Sequence, residues 1–229
     1  MKKGLNLNRV VLLGRTMDEY VRYFALNVED LRGRRILDVA SGVSSFAAEA
    51  GSSGLGVTAF DPIYDLSADI IAGRCEVDLE EILDSIGGLK VYKWDFYQNP
   101  EKLRIYRQRS WQAFIQDYRS RGVERYVPGV LPRLPFRDGE FDVALVSYFL
   151  FVYQDHLDYE FHRNSVLELV RVARVEVRIY PIVTFEGERS VYLDQLMADS
   201  ALSHLKFEEV KTDFEFLVNS NWYLKIARR

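Results

Sequence analysis

Residues 36–62 constrain this chain more tightly than any other stretch of similar length. Arg35, Ile36, Leu37, Asp38, Val39 and Ala40 form a short β-rich run that passes directly into Ser41, Gly42, Val43, Ser44 and Ser45, a cluster of turn formers and helix caps. Residues 46–50 then read as a helix, residues 51–56 break it, and Val57, Thr58, Ala59, Phe60 and Asp61 form a second strand closed by Pro62. Strand, turn, helix and strand in so short a span is the βαβ unit of a parallel sheet, because parallel neighbours need a crossover connection.

Upstream, residues 16–32 read as one amphipathic helix. Thr16 is its cap, Tyr20, Tyr23, Phe24, Asn27 and Leu31 lie on one side, and Gly33 ends it. Residues 63–123 leave the alternation and read mainly as helices, an insertion or lid, with Leu103, Tyr106, Ser110, Phe114 and Tyr118 on one face. The alternation resumes with strands at residues 125–127 and 141–147, a helix over 159–173, a strand over 175–180 and a helix over 192–202. Two β-rich runs follow, at 207–217 and 222–227, separated by the hairpin signal Asn219, Ser220 and Asn221. Val143, Ala144, Leu145 and Val146 make the 141–147 strand nearly continuous in apolar character, as suits a strand covered on both faces. The reading is one α/β domain over residues 1–229.

With 48% hydrophobic and 28% charged residues the chain can bury a sizeable core, and a formal net charge of −4 gives it no overall attraction to a phosphate backbone. Residues 101–126 are an exception, with seven basic side chains against three acidic ones and Tyr106, Trp111 and Tyr118 interleaved. A solvated helix face explains them better than a nucleic-acid surface. Cys75 is the only cysteine, which excludes an internal disulfide and a cysteine-rich metal site, and no metal is expected. Met1, Lys2 and Lys3 ahead of Leu12 and Leu13 faintly resemble a leader, but Asn6, Asn8 and Arg9 interrupt the apolar run. A cytoplasmic location away from membranes is expected.

In a parallel sheet, ligands settle at the carboxyl ends of the strands. Gly42 lets the backbone approach a ligand there, Ser44 or Ser45 caps the next helix, and Asp61 ends the second strand, where a carboxylate can accept hydrogen bonds from both ribose hydroxyls or simply cap the turn before Pro62. A glycine turn with an acid about 20 residues later also occurs in nicotinamide and flavin sites. Here the G-x-G-x-x-G fingerprint is missing, since Ala40, Gly42 and Ser45 occupy its positions, and Asp38 within the strand would repel a pyrophosphate while suiting an ammonium-bearing ligand. The helix over 159–173 carries Val166, Leu169, Val170 and Ala173 inward. Extended back, that stripe reaches His162 and Tyr159 at the ligand edge, so His162 is the candidate base, the alternative being a helix-start histidine bonded to a backbone carbonyl.

Together with the run from Leu134, Pro135 and Phe136 through Asp138, Phe141 and Asp142, these residues make the chain resemble the class I S-adenosylmethionine-dependent methyltransferases. Residues 36–42 are similar to that superfamily's first motif, 57–61 to its ribose-binding strand and 134–147 to its L-P-F-x-D-x-x-F-D motif. A closer likeness is to an uncharacterised bacterial branch with D-x-x-x-G-x-S-S-F in the first motif.

The resemblance implies a Rossmann-like, doubly wound, mostly parallel seven-stranded sheet with a C-terminal antiparallel hairpin. It implies S-adenosylmethionine as cofactor and a small-molecule acceptor. Asp38, Ala40, Ser41 and Gly42 would line the methionine end, Asp61 and Pro62 the ribose, and Gly129 and Val130 the adenine. Ser147 and Tyr148 would face the methyl, with Tyr148 and Tyr153 orienting the acceptor or serving as packing. Ala40 stands where the superfamily usually has glycine, and Val130 where an acid often contacts the adenine amine. Those departures support the alternative of a non-catalytic member that binds the cofactor or a partner.

Overall fold

The computed structural model describes residues 9–229, so Met1, Lys2, Lys3, Asn6 and Asn8, on which the leader reading turned, lie outside the described residues. Five parallel strands, β1 (Arg35–Val39), β2 (Gly56–Phe60), β3 (Tyr126–Val127), β4 (Phe141–Ser147) and β5 (Ala173–Tyr180), form one sheet with β6 (Leu205–Lys211) and β7 (Trp222–Arg228). The order is β3-β2-β1-β4-β5-β7-β6, with β7 antiparallel to both its neighbours. This is the expected Rossmann-like sheet. Its strand order reverses between β1 and β4, which pair in parallel from Ile36 opposite Val143 to Val39 opposite Val146. A crevice opens above that point.

The strands alternate residue by residue between two covered faces. Ile36, Val57, Val143 and Leu145 face a core built with helices α1 (Met17–Tyr23), α2 (Phe46–Ser52), α3 (Ala68–Ile86) and α4 (Pro100–Arg121). Leu37, Val39, Ala144 and Val146 face a second core built with α5 (Tyr159–Val172) and α6 (Val191–Ala198). At the foot of the sheet Asp142 Oδ2 accepts a 2.8 Å bond from the Arg35 amide, fixing the start of β1 against β4. That gives the last acid of the 134–142 motif a structural task.

Three elements differ from the sequence expectation. The first helix ends at Tyr23 instead of residue 32. Thr16 and Glu19 form a reciprocal capping box at its start, Ala25 is left-handed at φ 47°, and the Leu26 amide bonds back to the Val21 carbonyl at 2.9 Å. This is a Schellman-type end that turns Leu26 into the core.

The second β-rich run stops at Lys211. Beyond it, Phe214, Phe216 and Leu217 bury against Tyr92 and Tyr97, and residues 216–218 exchange backbone hydrogen bonds with residues 91–93. The hairpin partners β6 and β7 are therefore joined by a ten-residue loop, from Thr212 to Asn221, in place of a tight turn.

On α4 the buried face is broader than expected: Leu103, Ser110 and Phe114 are buried, Tyr106 and Tyr118 are half-buried against the same core, and Arg107, Trp111 and Ile115 are buried beside them. Residues from α3 and α4, among them Ile71, Cys75 and Phe114, share one core with Ile36 and Leu145. The basic residues of this region are largely matched, Arg104 by Glu80, Arg119 by Asp69, Arg125 by Asp117 and the buried Arg107 by Glu19. Among the described residues no helix is long and apolar enough to cross a membrane.

Candidate functional site

A cavity of about 490 Å³ lies over the carboxyl ends of β1, β2 and β4, within the usual size range of small-molecule sites. Its floor is the loop after β1. Ala40 and Gly42 both adopt left-handed backbone angles, φ 53° and 52°, so the chain turns twice within three residues. Tyr64 Oη donates to the Gly42 carbonyl at 2.8 Å, and Ser41 Oγ lies 2.6 Å from the same hydroxyl. Asp61 caps the turn after β2 by accepting from the Ile63 amide at 3.0 Å, and its other oxygen accepts from the Gly42 amide at 2.9 Å. The acid thus ties the two strand-end loops together.

Burial raises the Asp61 carboxyl to about 6 against the pull of the Ile63 and Gly42 amides and the nearby Arg74 charge. An ionised carboxylate offers about four acceptor positions, of which two are filled here. Asp61 lines the cavity, and its remaining capacity suits a pair of hydroxyl donors. Beside it, Gly129 at φ 155° passes so close to Phe60 that a Cβ would sit 2.6 Å from the ring. Val130 is 60% exposed at the rim.

At the β4 end the cavity is lined by Ser147, Tyr148, Phe149 and Tyr153, with Tyr20 from α1 and Phe185 from the segment after β5. Tyr148 is another left-handed non-glycine residue, φ 50°, and its buried hydroxyl has no hydrogen-bond partner among the described residues. The Tyr153 hydroxyl accepts a long 3.4 Å bond from the Val11 amide, and burial pushes its pKa up to about 12.

The remaining wall is residues 9–13 and Arg15, an irregular strap along the cavity. The Leu12 amide donates to Asp78 at 2.6 Å, and Arg9 pairs with Asp78 and Glu81 on α3. Ser44 Oγ and the Ser45 amide both donate to the Arg15 carbonyl, at 2.9 and 3.0 Å. Gly14 is wedged so tightly that a Cβ would lie 2.3 Å from the Val43 carbonyl oxygen. Behind the strap, Glu19 accepts from the Thr16 amide at 2.8 Å, from Tyr23 Oη at 2.9 Å, and from Tyr97 and Arg107, while Arg107 also donates to the Gly14 carbonyl. Burial disfavours the Glu19 carboxylate, but the charges of Arg107 and Arg15 and the bonds from Arg107 and Thr16 outweigh it and lower its pKa to about 2.

Ala40, Ser41, Gly42, Asp61, Pro62, Gly129, Val130, Ser147, Tyr148 and Tyr153 all line this cavity. Asp38 does not. It is fully buried beneath Tyr20, whose hydroxyl lies 2.9 and 3.1 Å from its two oxygens, and burial holds its carboxyl well above the usual range even against that bond. A direct contact from Asp38 to an ammonium group is therefore closed off, and Tyr20 presents the surface instead.

His162 is also removed from the cavity. Its ring is 0% exposed, with Nδ1 2.8 Å from the Asp158 carbonyl and Nε2 3.0 Å from the Leu150 carbonyl, and it packs against Phe151 and Tyr192. Burial lowers its pKa, the two carbonyls opposing. It is the carbonyl-bonded histidine of the alternative reading, and it fastens the 150–158 turn to α5. Of the two candidate caps, Ser44 Oγ accepts from the Phe46 amide at 3.1 Å, whereas Ser45 makes no side-chain cap. The strap, Tyr20, Arg74 and Phe185 carry no motif and were missed. Only the spacing of Thr16 and Glu19 hinted that the chain was pinned there.

The fold and cavity together define a Rossmann-like protein with a small-molecule-sized cavity at its topological switch point. The chain is 39% identical over 226 residues to the uncharacterized protein MJ0045 of the archaeon Methanocaldococcus jannaschii, an alignment covering 98% of this chain and 99% of that one, and it belongs to the same family. No family model matches it. Among solved structures it is similar to the PH0226 protein of Pyrococcus horikoshii, at 14% identity and a TM-score of 0.51 over 92% of this chain and 89% of that one. It is also similar to magnesium protoporphyrin IX methyltransferase of Synechocystis, at 11% identity and a TM-score of 0.48 over 93% and 81%. These two likenesses are of fold alone. The relative is archaeal, where the motif pattern suggested a bacterial branch.

Proposed function

We propose that this chain binds S-adenosylmethionine in the switch-point cavity and directs its methyl group to a small-molecule acceptor. The observation that carries the reading is Asp61, which closes the β1 loop through the Gly42 amide and keeps acceptor capacity toward the cavity at the place where a ribose sits in folds of this strand order. The residues present fit the cofactor. Asp61 would take the ribose hydroxyls, and the ring-close backbone of Gly129 with Val130 would flank the adenine. The loop from Ala40 to Gly42 would take the methionine end, and Ser147 and Tyr148 would border the acceptor. When bound, S-adenosylmethionine supplies a methyl group already activated by its sulfonium, so positioning and water exclusion can provide much of the rate.

The chain's own contribution is then a fixed loop, a largely apolar wall and a strap along it. Among the described residues the lining includes no His, Lys, Glu or Cys, and its tyrosine hydroxyls are pushed up by burial. With Asp61 committed to the ribose on this reading, no further base borders the acceptor among the described residues, which favours an acceptor whose nucleophilic lone pair is already free. A cytoplasmic setting belongs to the same reading, supported by the lone, buried Cys75.

Calorimetric titration with S-adenosylhomocysteine, beside NAD, tests the proposal. Saturation at about 100 times Kd should stabilise the chain by about 2.7 kcal/mol and raise Tm by roughly 5–10 °C, with NAD silent. No heat and no thermal shift with S-adenosylhomocysteine would sink it.

A further inference from the structure

At the strap end of the cavity one guanidinium, that of Arg15, has no ion-pair partner among the described residues, while its neighbours Arg9 and Arg107 are both paired. Arg107 and Arg15 both act on Glu19, but the two Glu19 oxygens are already occupied by Thr16, Tyr23, Tyr97 and Arg107. Arg107 takes the ion pair, and Arg15 forms none among the described residues. Nη1 of Arg15 donates to the Leu13 and Gly14 carbonyls. Its Nε is buried without a partner, and Nη2 has no hydrogen bond among the described residues. The guanidinium lies over the Tyr148 ring at 4.6 Å from its centroid, and Arg15 lines the cavity. Its plane is thus fixed by an aromatic face while the Nε and Nη2 edge stays unused. A carboxylate matches that edge with two parallel bonds.

We infer that Arg15 is a carboxylate-recognition residue, and that the strap end of the cavity is a site for one carboxylate group of a bound ligand. A carboxylate is favoured over a phosphate because a single guanidinium edge, with no second cation beside it in the strap, is left to receive it. Of the other two arginines of the lining, Arg9 is paired with Asp78 and Glu81, and Arg74, without an ion pair among the described residues, lies near enough to Asp61 for its charge to act on that carboxyl. Because the Arg15 carbonyl is bound by Ser44 and Ser45, the site adjoins the loop after β1. On the function proposed above, which this inference rests on, the carboxylate is either that of the cofactor's amino acid or one carried by the acceptor.

Calorimetry on the full chain, R15Q and R15K separates the sources. The probes are S-adenosylhomocysteine, 5′-methylthioadenosine, which lacks the amino-acid carboxylate, and 3-phenylpropionate beside its amide. If the cofactor supplies the carboxylate, R15Q weakens S-adenosylhomocysteine about tenfold or more, leaves 5′-methylthioadenosine within about twofold, and R15K recovers part of the loss. If the acceptor supplies it, the ratio of the two nucleosides does not move. Instead 3-phenylpropionate, and not its amide, binds the S-adenosylhomocysteine complex and is lost in R15Q.

Equal effects of R15Q on both nucleosides together with equal binding of acid and amide would overturn the inference. Should neither nucleoside bind the unmodified chain, the proposed function fails. Acid against amide on the free chain, with and without R15Q, then decides for or against the arginine site by itself.

Discussion

Replacing Glu19 by glutamine should be among the most damaging single-atom changes available to this protein. Glu19 is 0% exposed and Arg107 only 3%, so the substitution strands a buried guanidinium beside a neutral amide. Breaking a buried ion pair from one side costs about 3–5 kcal/mol. Proton linkage, which reads the same pair through its effect on the carboxyl, gives a consistent figure. The folded carboxyl sits at about 2, against 4.5 unperturbed, and that difference corresponds to about 3 kcal/mol.

Because the folded value is lowered, this stabilisation is complete above about pH 4.5 and is lost as the pH falls toward 2. E19Q should therefore lower Tm at neutral pH by roughly 6–12 °C and should lack the part of the acid destabilisation that Glu19 contributes. Thermal unfolding followed by circular dichroism from pH 7 down to 3 measures both. A Tm within about 2 °C of the parent, or an acid slope equal to the parent's, would refute the role given to the pair.

Gly14→Ala should cost about 1–3 kcal/mol and weaken S-adenosylhomocysteine binding, because its Cβ meets the Val43 carbonyl and Ser110; unchanged Tm and affinity would show that the strap is not held as described. Nucleoside affinity should fall below about pH 6, by up to about tenfold per unit, as the Asp61 carboxyl protonates; calorimetry across pH should show this fall for the parent and not for the weaker-binding D61A. The same raised value means that the free protein loses stability as pH rises from about 4 to 6, a cost that a bound diol offsets. Ala40→Gly should raise stability by up to about 1 kcal/mol, since it removes a left-handed Cβ at the price of a freer unfolded chain, and a fall in Tm would contradict that balance. H162Q should lower Tm yet leave S-adenosylhomocysteine affinity unchanged, and a loss of affinity at unchanged Tm would restore His162 to the site.

The βαβ unit and the roles of Gly42 and Asp61 as loop and strand-end residues were legible because they are local. Strand alternation, a turn that needs a positive φ and an acid at a strand end are all written within residues 35–62. What the sequence hid was whatever depends on contacts between distant segments. The helical stripe placed His162 correctly on the inner face and first turn of α5, but nothing in it told that the Leu150 carbonyl would close over the ring. Asp38 was read as facing the ligand because Tyr20, which covers it, is 18 residues away on an element whose docking is set by the Glu19 and Arg107 pair. Residues 9–15 look like an unremarkable apolar run until Asp78, Tyr153 and Ser44 are seen to receive them. Arg107 looks like part of a solvated basic face, since its counter-ion Glu19 lies 88 residues earlier in the chain.

The structure of the chain crystallised with saturating S-adenosylhomocysteine tests the nucleoside reading of the cavity most directly. The ribose hydroxyls should lie within hydrogen-bonding distance of Asp61, which should keep its bond to the Gly42 amide, with the homocysteine tail running past Ala40 toward Tyr148. A nucleoside seated elsewhere with Asp61 untouched, or a cavity that stays empty at saturation, would contradict it.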